Sequence, residues 1–180
     1  PRLVGRLDLE GAGLRVRGFP HGVEGLRGRV RFTERAAELE EVSGTLAGGR
    51  LTIEGQAAYS GGRLTSYDVR PTGRGLALRY PEGVRSLLDA QLRLFGDAEK
   101  QWITGTVDVR QALYTKRYDV ASELLGARRA LPLPEATALE EGPQLDLRVR
   151  APGTVRIDNN LATLAASADL AIQGTTRAPV

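Results

Sequence analysis

The chain has 180 residues, of which 41% are hydrophobic and 5% aromatic, and its 25 basic and 22 acidic residues give a formal net charge of +3. This length suits one globular domain or one part of a repetitive structure. Only Lys100 and Lys116 are lysines, and the arginines alternate with apolar residues instead of clustering with aromatics, so we expect no nucleic-acid partner. The absence of cysteine excludes disulfide bonds and thiolate metal sites.

Apolar residues at every second position predict β-strands from the beginning of the chain. Leu7 and Leu9 alternate with the charged residues Arg6, Asp8 and Glu10, which is typical of a strand with one dry face. The same alternation recurs around residues 26–32, 51–59 and 76–80. Glycine and proline clusters predict turns between the strands, at residues 11–13, 20–22, 48–49, 61–62 and 71–73.

The alternation continues through the second half of the chain, at residues 88–94, 103–109, 145–149 and 166–172. Roughly a dozen strands at intervals of roughly 8 to 12 residues predict a meandering antiparallel sheet and disfavour βαβ units. Glycines inside the predicted strands, such as Gly28, Gly55 and Gly105, are expected to let the sheet bend or bulge.

One stretch departs from the strand pattern. Residues 111–126 have apolar side chains at helical spacing and end at Gly126, a natural C-cap, so we predict one short helix there, or a strand followed by a helix. The apolar residues of this pattern are Leu113, Tyr114, Tyr118, Ala121, Leu124 and Leu125. Residues 127–142, with two prolines and adjacent acidic residues, predict a flexible, exposed connection.

The sequence offers no catalytic, metal or cofactor site. His21, the only histidine, lies in a predicted turn where we expect it to be solvated, and Ser60 lacks the glycine pattern of a nucleophile elbow. Glu38 and Glu40 are expected on the same outward face as surface charges, and the residues after Asp158 do not complete a calcium loop. We therefore expect a protein that is not an enzyme.

The chain begins at Pro1, contains no methionine and has no apolar stretch of about 18 residues. We therefore expect residues 1–180 to be a single segment from the interior of a larger protein, with any membrane anchor outside it.

The C-terminal region carries the motifs VRIDNNL at residues 155–161, ADL at residues 168–170, IQGT at residues 172–175 and AP at residues 178–179. This pattern resembles the C-terminal domain of the TamB family. ITGTV at residues 103–107 and YTKRY at residues 114–118 are also similar to that family. The resemblance extends over residues 88–180, and the first half of the chain shares only the general sequence pattern of the family.

The resemblance implies an all-β fold: a long curved sheet folded into a U-shaped β-taco with a hydrophobic inner groove, as in AsmA-like envelope proteins. It implies a periplasmic module of a parent protein anchored in the bacterial inner membrane. The implied partners are phospholipid acyl chains, an outer-membrane barrel of the Omp85 type (TamA-like) and unfolded outer-membrane β-strands. The implied roles are phospholipid transport between the two membranes and outer-membrane protein assembly.

Twelve aliphatic and aromatic positions are the candidates for a lipid-binding groove, and a dozen strands would give a lining of roughly 60 Å. They are Leu7, Val30, Phe32, Ile53, Leu92, Leu94, Val107, Val109, Leu147, Val149, Leu170 and Ile172. The same residues would also fill the core of a closed β-sandwich acting as a structural spacer. A chaperone-like module that binds an added β-strand at a sheet edge is the further alternative.

Overall fold

Nine β-strands make up the fold in the computed structural model, which describes residues 4–15, 19–115, 142–160 and 163–176. All nine belong to one curved sheet that does not close, and their order in the sheet is their order in the chain. The strands are β1 Gly5–Leu14, β2 Val23–Phe32, β3 Ala36–Leu46, β4 Gly49–Ser60, β5 Arg63–Leu78, β6 Val84–Gly96, β7 Gln101–Tyr114, β8 Gln144–Asp158 and β9 Thr163–Thr175. The prediction of an all-β fold with a curved sheet is confirmed.

One neighbouring pair breaks the antiparallel meander that the sequence predicts. Every other adjacent pair is antiparallel, but β7 and β8 run parallel, with Trp102 opposite Gln144 and Tyr114 opposite Ile157. Antiparallel strands can be joined by a tight hairpin, whereas parallel strands need a connection long enough to return to the starting end. The long stretch between β7 and β8, residues 115–143, supplies that connection.

Two of the predicted turns lie inside strands, so the described residues contain nine strands and not a dozen. Residues 11–13 belong to β1, where the positive φ of Gly11 accompanies a shift in the β1–β2 register. Residues 71–73 belong to β5, and Pro71 lies opposite Ile53. Glycine and proline here produce bulges and kinks instead of reversing the chain. Eight intervals of about 4.8 Å give a sheet roughly 38 Å wide, less than expected.

The predicted helix is wrong where the structure describes it. Residues 111–114 are the end of β7, and Leu113 and Tyr114 are partners of Arg85 and Val84. A bulge at Arg110 shifts the β6–β7 register by one position, but the helical spacing rests mostly on apolar residues after Tyr114. Residues 116–126, the rest of that prediction, lie outside the described residues, as do residues 127–141 of the predicted connection.

The described strands make no second layer. Strands make extensive contacts only with their neighbours in the sheet, and no described side chain is completely buried. The most buried hydrophobic residues are Leu26, Val42, Leu51, Leu76, Leu88, Ala90 and Ala151. Three of them, Leu76, Leu88 and Ala90, form one cluster that Leu46 joins from β3. The closed sandwich is therefore wrong for the part of the chain that the structure describes.

His21 has a structural role that the sequence did not predict. Its Nε2 accepts a hydrogen bond of 2.9 Å from the backbone N–H of Arg79, just after β5. The ring of Phe19 meets both His21 and Tyr80 edge-on, with centroids 5.6 and 5.8 Å apart. These contacts attach the loop between β1 and β2 to the end of β5, across two intervening strands.

Glycines at two central positions allow neighbouring strands to approach closely. Gly55 and Gly105 have φ of 147° and 139°. A Cβ on Gly55 would lie 2.3 Å from the carbonyl oxygen of Asp68, and a Cβ on Gly105 would lie 2.1 Å from that of Gln91. Since both obstacles are backbone atoms of the next strand, only glycine fits without moving that strand.

Gly105→Ala is expected to lower the free energy of unfolding by about 2–4 kcal/mol, because the new Cβ collides with Gln91 in a backbone conformation that suits glycine. Chemical denaturation measures the change. Gly13→Ala is the matched control, since its Cβ would meet nothing closer than 3.8 Å. Equal stability of the two variants would contradict the close-approach role of Gly105.

Candidate functional site

Side-chain alternation divides the sheet into an uncharged face and a charged one. Residues that are direct partners on adjacent strands point to the same side, so the register identifies the members of each face. One row of partners crosses all nine strands: Leu7, Val30, Leu39, Gly55, Val69, Leu94, Ile103, Leu145 and Gly174. We call the side that carries this row the apolar face and the opposite side the charged face.

Bulges keep the apolar face continuous where strict alternation would break it. In β3, Glu41 has a φ of 51°, and the register changes between Leu39 and Val42. This extra residue places Leu39 and Val42, three positions apart, on the same face. In β8, two extra residues around Gly153, whose φ is 65°, interrupt the pairing between Ala151 and Val155 but leave both residues on the same face. The row of apolar side chains therefore continues past both irregularities.

The register puts all twelve candidate residues on the apolar face. Leu7, Val30 and Leu94 belong to the row that crosses the whole sheet. Parallel rows hold the other candidates: Leu92, Leu147 and Ile172 flank Gly105; Val107, Val149 and Leu170 are consecutive partners; and Phe32, Ile53 and Val109 lie opposite Ala37, Val42 and Leu88. Whether these residues bind lipid is taken up below as a proposal.

Four further residues of the same row were missed from the sequence: Leu39, Val69, Ile103 and Leu145. Leu39 stands among glutamates, and the bulge at Glu41 hides the alternation that would have revealed β3. Val69 lies in β5 close to the false turn at residues 71–73. Ile103 and Leu145 are in strands that alternation did predict. Only their cross-strand partners show that they belong to the row that crosses the whole sheet.

No lysine, arginine, aspartate or glutamate lies on the apolar face of the described strands. Its most buried residues are in the middle strands, while the edge strands leave large side chains open: Leu7 keeps 50% of its accessible surface and Leu170 keeps 52%. An uncharged surface of this extent that is partly open to solvent is typical of a site for an apolar partner.

The charged face neutralises much of its own charge through cross-strand ion pairs. Asp68 is a representative case, because Arg93 donates two hydrogen bonds to its carboxylate, of 3.1 and 2.8 Å, and Arg70 donates a third. Each exposed pair of this kind contributes little to stability, because solvent screens it. The arginines with a partner on another strand are Arg29, Arg31, Arg93, Arg110, Arg148 and Arg150, while Arg6 and Arg70 pair within their own strands.

The predicted placement of Glu38 and Glu40 on one outward face is confirmed. Arg31 contacts both carboxylates, at 2.6 Å to Glu38 and 3.0 Å to Glu40. The two glutamates therefore serve as partners of an arginine on the charged face.

Asp89 combines an ion pair with a structural hydrogen bond. The backbone N–H of Gly75 donates a 2.7 Å bond to its carboxylate, and the Arg110 guanidinium donates others. Gly75 lies in the β5–β6 bulge between Gly73 and Leu76, so Asp89 satisfies a backbone donor that the ladder leaves free. The Gly75 bond, followed by Arg110, lowers the pKa of Asp89 below its usual range. Hydrogen bonds from Arg93 and Arg148 similarly lower the pKa of Asp68 and Asp169.

The stability of the fold should fall at acidic pH. A carboxylate whose pKa is lower in the folded than in the unfolded state stabilises the fold above about pH 4, and this contribution is lost as the pH falls through the folded value. The midpoint temperature of thermal unfolding should stay constant from neutral pH down to about pH 4 and should fall at lower pH. In Asp89→Asn the acid-induced drop should be smaller, since one of these carboxylates is gone; an unchanged pH dependence would contradict its contribution.

Within the described ranges, no three potential metal-ligating side chains come together. None of those residues forms a helix with the length and apolarity needed to cross a membrane.

Comparison with known families gives one match that covers most of the chain. Residues 40–180 match the family model of the TamB C-terminal domain. Comparison with curated proteins and with solved structures gives no match. The matched residues include β4 to β9 and the last seven residues of β3.

Proposed function

Because the chain belongs to the TamB C-terminal domain family, a family of transport and assembly modules of the bacterial envelope, we propose that its apolar face binds phospholipid acyl chains. In this role the domain acts without catalysis, as part of a lipid path between the inner and outer membranes. The proposed location is the periplasm, within a parent protein anchored in the inner membrane. Residues 1–180 would then form one β-taco segment of that parent.

The observation that carries this proposal is the continuous, uncharged face across nine strands. Moving a 16-carbon chain through water costs about 0.8 kcal/mol per methylene, or roughly 13 kcal/mol, so a lipid path needs an unbroken apolar lining. The hydrocarbon core of a bilayer is about 30 Å thick and contains two leaflets, so one acyl chain spans about 15 Å. A face roughly 38 Å wide exceeds that length.

The edges of the sheet support a path that continues beyond this segment. Leu7 and Leu170 lie on the two edge strands and are about half exposed, so the apolar surface reaches both edges. The twelve candidate residues would contact the chains directly, and we add Leu39, Val69, Ile103 and Leu145 from the same row. The proposed protein partner is an outer-membrane barrel of the Omp85 type.

Charging the apolar face should remove bound lipid. Leu147→Asp is expected to reduce phospholipid that co-purifies with the domain at least about tenfold, because a carboxylate held against an acyl chain costs several kcal/mol. Val107→Asp should act in the same direction, with a larger loss of stability, since Val107 packs against the cluster of Leu76, Leu88 and Ala90. The measurement is mass spectrometry of organic extracts from purified protein.

The matched control is Thr106→Asp. Thr106 precedes Val107, points to the charged face and lies opposite Arg148, so this variant should keep its lipid. Leu147→Asp and Val107→Asp should both fold, because an open face lets water solvate the new carboxylate. Circular dichroism establishes whether the variants are folded. Lipid retained by folded Leu147→Asp, or lost equally in Thr106→Asp, would contradict the proposal.

A second candidate function, strand binding, is favoured by the β9 edge. Native sheets protect edge strands with lysines, prolines, bulges or inward charges. β1 has three charged residues and a bulge, whereas β9 has one charged residue, Asp169, no lysine and no proline in Thr163–Thr175. No described strand lies beyond β9 in the sheet, so its outer edge could pair with an unfolded outer-membrane strand by β-augmentation.

Lysines on this edge should weaken strand binding. Ala165 and Ala171 are exposed residues of β9 on the charged face. The double variant Ala165→Lys, Ala171→Lys is expected to bind a labelled outer-membrane strand peptide about tenfold more weakly in fluorescence anisotropy, since edge lysines oppose strand addition. Thr52→Lys, on the charged face of the interior strand β4, is the control. Equal affinity of the parent and the double variant would contradict strand addition at β9.

A further inference from the structure

We propose that four arginines on the charged face, Arg50, Arg74, Arg85 and Arg156, dock on the phosphate groups of an anionic membrane surface. We call them, together with Leu87 and Leu113, the arginine strip. The strip lies on the opposite side of the sheet from the apolar face, so this inference goes beyond the proposed lipid path and does not depend on it.

The first observation is that these arginines do not form the close ion pairs that other arginines of the charged face form; Arg74 interacts with Asp89 only at longer range. Ion pairs with carboxylates within 4.0 Å occupy Arg29, Arg31, Arg93, Arg110 and Arg148, among others. Within the described residues, no carboxylate lies that close to any arginine of the strip. All four are exposed, so their guanidinium groups are open to an external anion.

The second observation is a like-charge pair at the centre of the sheet. Arg50 in β4 and Arg74 in β5 are direct cross-strand partners on the same face. Like charges in this position destabilise a sheet. Asp89 offsets part of the charge of Arg74 from a distance, while its carboxylate is hydrogen-bonded to Gly75 and Arg110. An external anion placed over the pair would remove the repulsion and accept hydrogen bonds from both guanidinium groups.

The third observation is that two leucines lie beside these arginines on the charged face. Leu113 in β7 lies directly between Arg85 in β6 and Arg156 in β8. Leu87, next to Arg85 on the same face, shares with them a shallow depression of about 740 Å³. Arginines bind lipid phosphates while neighbouring aliphatic side chains enter the interfacial region, so the combination suits a membrane surface.

Geometry and composition favour a membrane surface over other anionic partners. The strip reaches from β4 to β8, four intervals of about 4.8 Å, or roughly 19 Å, which is wider than one phosphate group. A surface with many phosphates can engage all four arginines together. Nucleic-acid sites add aromatic side chains on which bases stack, and none of the residues in the strip is aromatic.

The strip is tested by co-sedimentation with vesicles of phosphatidylcholine alone or mixed with phosphatidylglycerol. Unaltered protein should sediment with the anionic vesicles and much less with the neutral ones, and salt should reduce this binding. The double variant Arg85→Glu, Arg156→Glu should partition at least about tenfold more weakly onto anionic vesicles. Arg85→Gln, Arg156→Gln should give a smaller loss and serves if the glutamate variant fails to fold.

The matched control makes the same charge change at the other end of the strands. Arg35 and Arg63 are exposed residues at the β2–β3 and β4–β5 turns. Arg35→Glu, Arg63→Glu should leave most of the binding intact. An equal loss in this control would mean that net charge, not the strip, controls binding. Vesicle binding by Arg85→Glu, Arg156→Glu at the level of the unaltered protein would also overturn the inference. An acidic protein surface would then be the better partner for the strip.

The lipid path and the strip can fail separately. Leu147→Asp, which alters the apolar face, should bind anionic vesicles like the unaltered protein. Loss of vesicle binding in that variant would assign membrane binding to the apolar face and overturn the role of the strip. Co-purified phospholipid in Arg85→Glu, Arg156→Glu, together with lost vesicle binding, would support both assignments independently.

Discussion

Cross-strand register is the constraint on which this structure depends. In a sheet the side-chain period is two, so a slip of one residue in any strand would move its aliphatic side chains to the charged face and its arginines to the apolar one. Bulges at Glu41, Arg110 and Gly153 provide the local corrections that keep nine strands in phase. The extra residues change the local pairing, yet the apolar rows continue on either side of them. An uncharged face many residues long is thus maintained without a second layer of structure in the described chain.

The apolar face depends on the charged face to keep the domain open. An exposed aliphatic surface invites collapse onto another sheet, and the opposite surface must therefore be strongly hydrated for the domain to remain open. Cross-strand pairs such as Arg29–Asp8 and Arg148–Asp169 contribute little energy individually, but they hold alternating charges at regular positions without accumulating one sign. Where this compensation stops, at Arg50 and Arg74, the surface gains a capacity for external anions. A single alternating pattern thereby generates two surfaces with different partners.

Alternation in the sequence was sufficient to predict an all-β fold, and the family resemblance implied the curved sheet. The twelve candidate residues came from alternating apolar positions, and the register places them on one side of the sheet. Alternation failed where backbone conformation departs from the regular strand. Gly11 and Pro71 resemble turn residues in sequence, yet their neighbours across the ladder keep them in strands. Residues 111–114 of β7 were assigned to a helix because apolar residues at helical spacing follow them in the sequence, and the bulge at Glu41 concealed β3. The parallel β7–β8 pair could not be predicted because strand direction depends on long-range pairing, which local periodicity does not encode.

The parallel pair also sets the order in which the sheet can assemble. Strands β1 to β7 are joined by short connections, so their contacts form between residues close in sequence and carry a small loop-closure entropy. Strand β8 reaches β7 only after residues 115–143 have been made and the chain has returned to its starting end. The β8–β9 hairpin is itself local, with Asp158 opposite Thr163, and can form before it docks. During synthesis from the N-terminus, β7 therefore remains an unpaired edge longer than β2 to β6 do, which exposes it to wrong pairing.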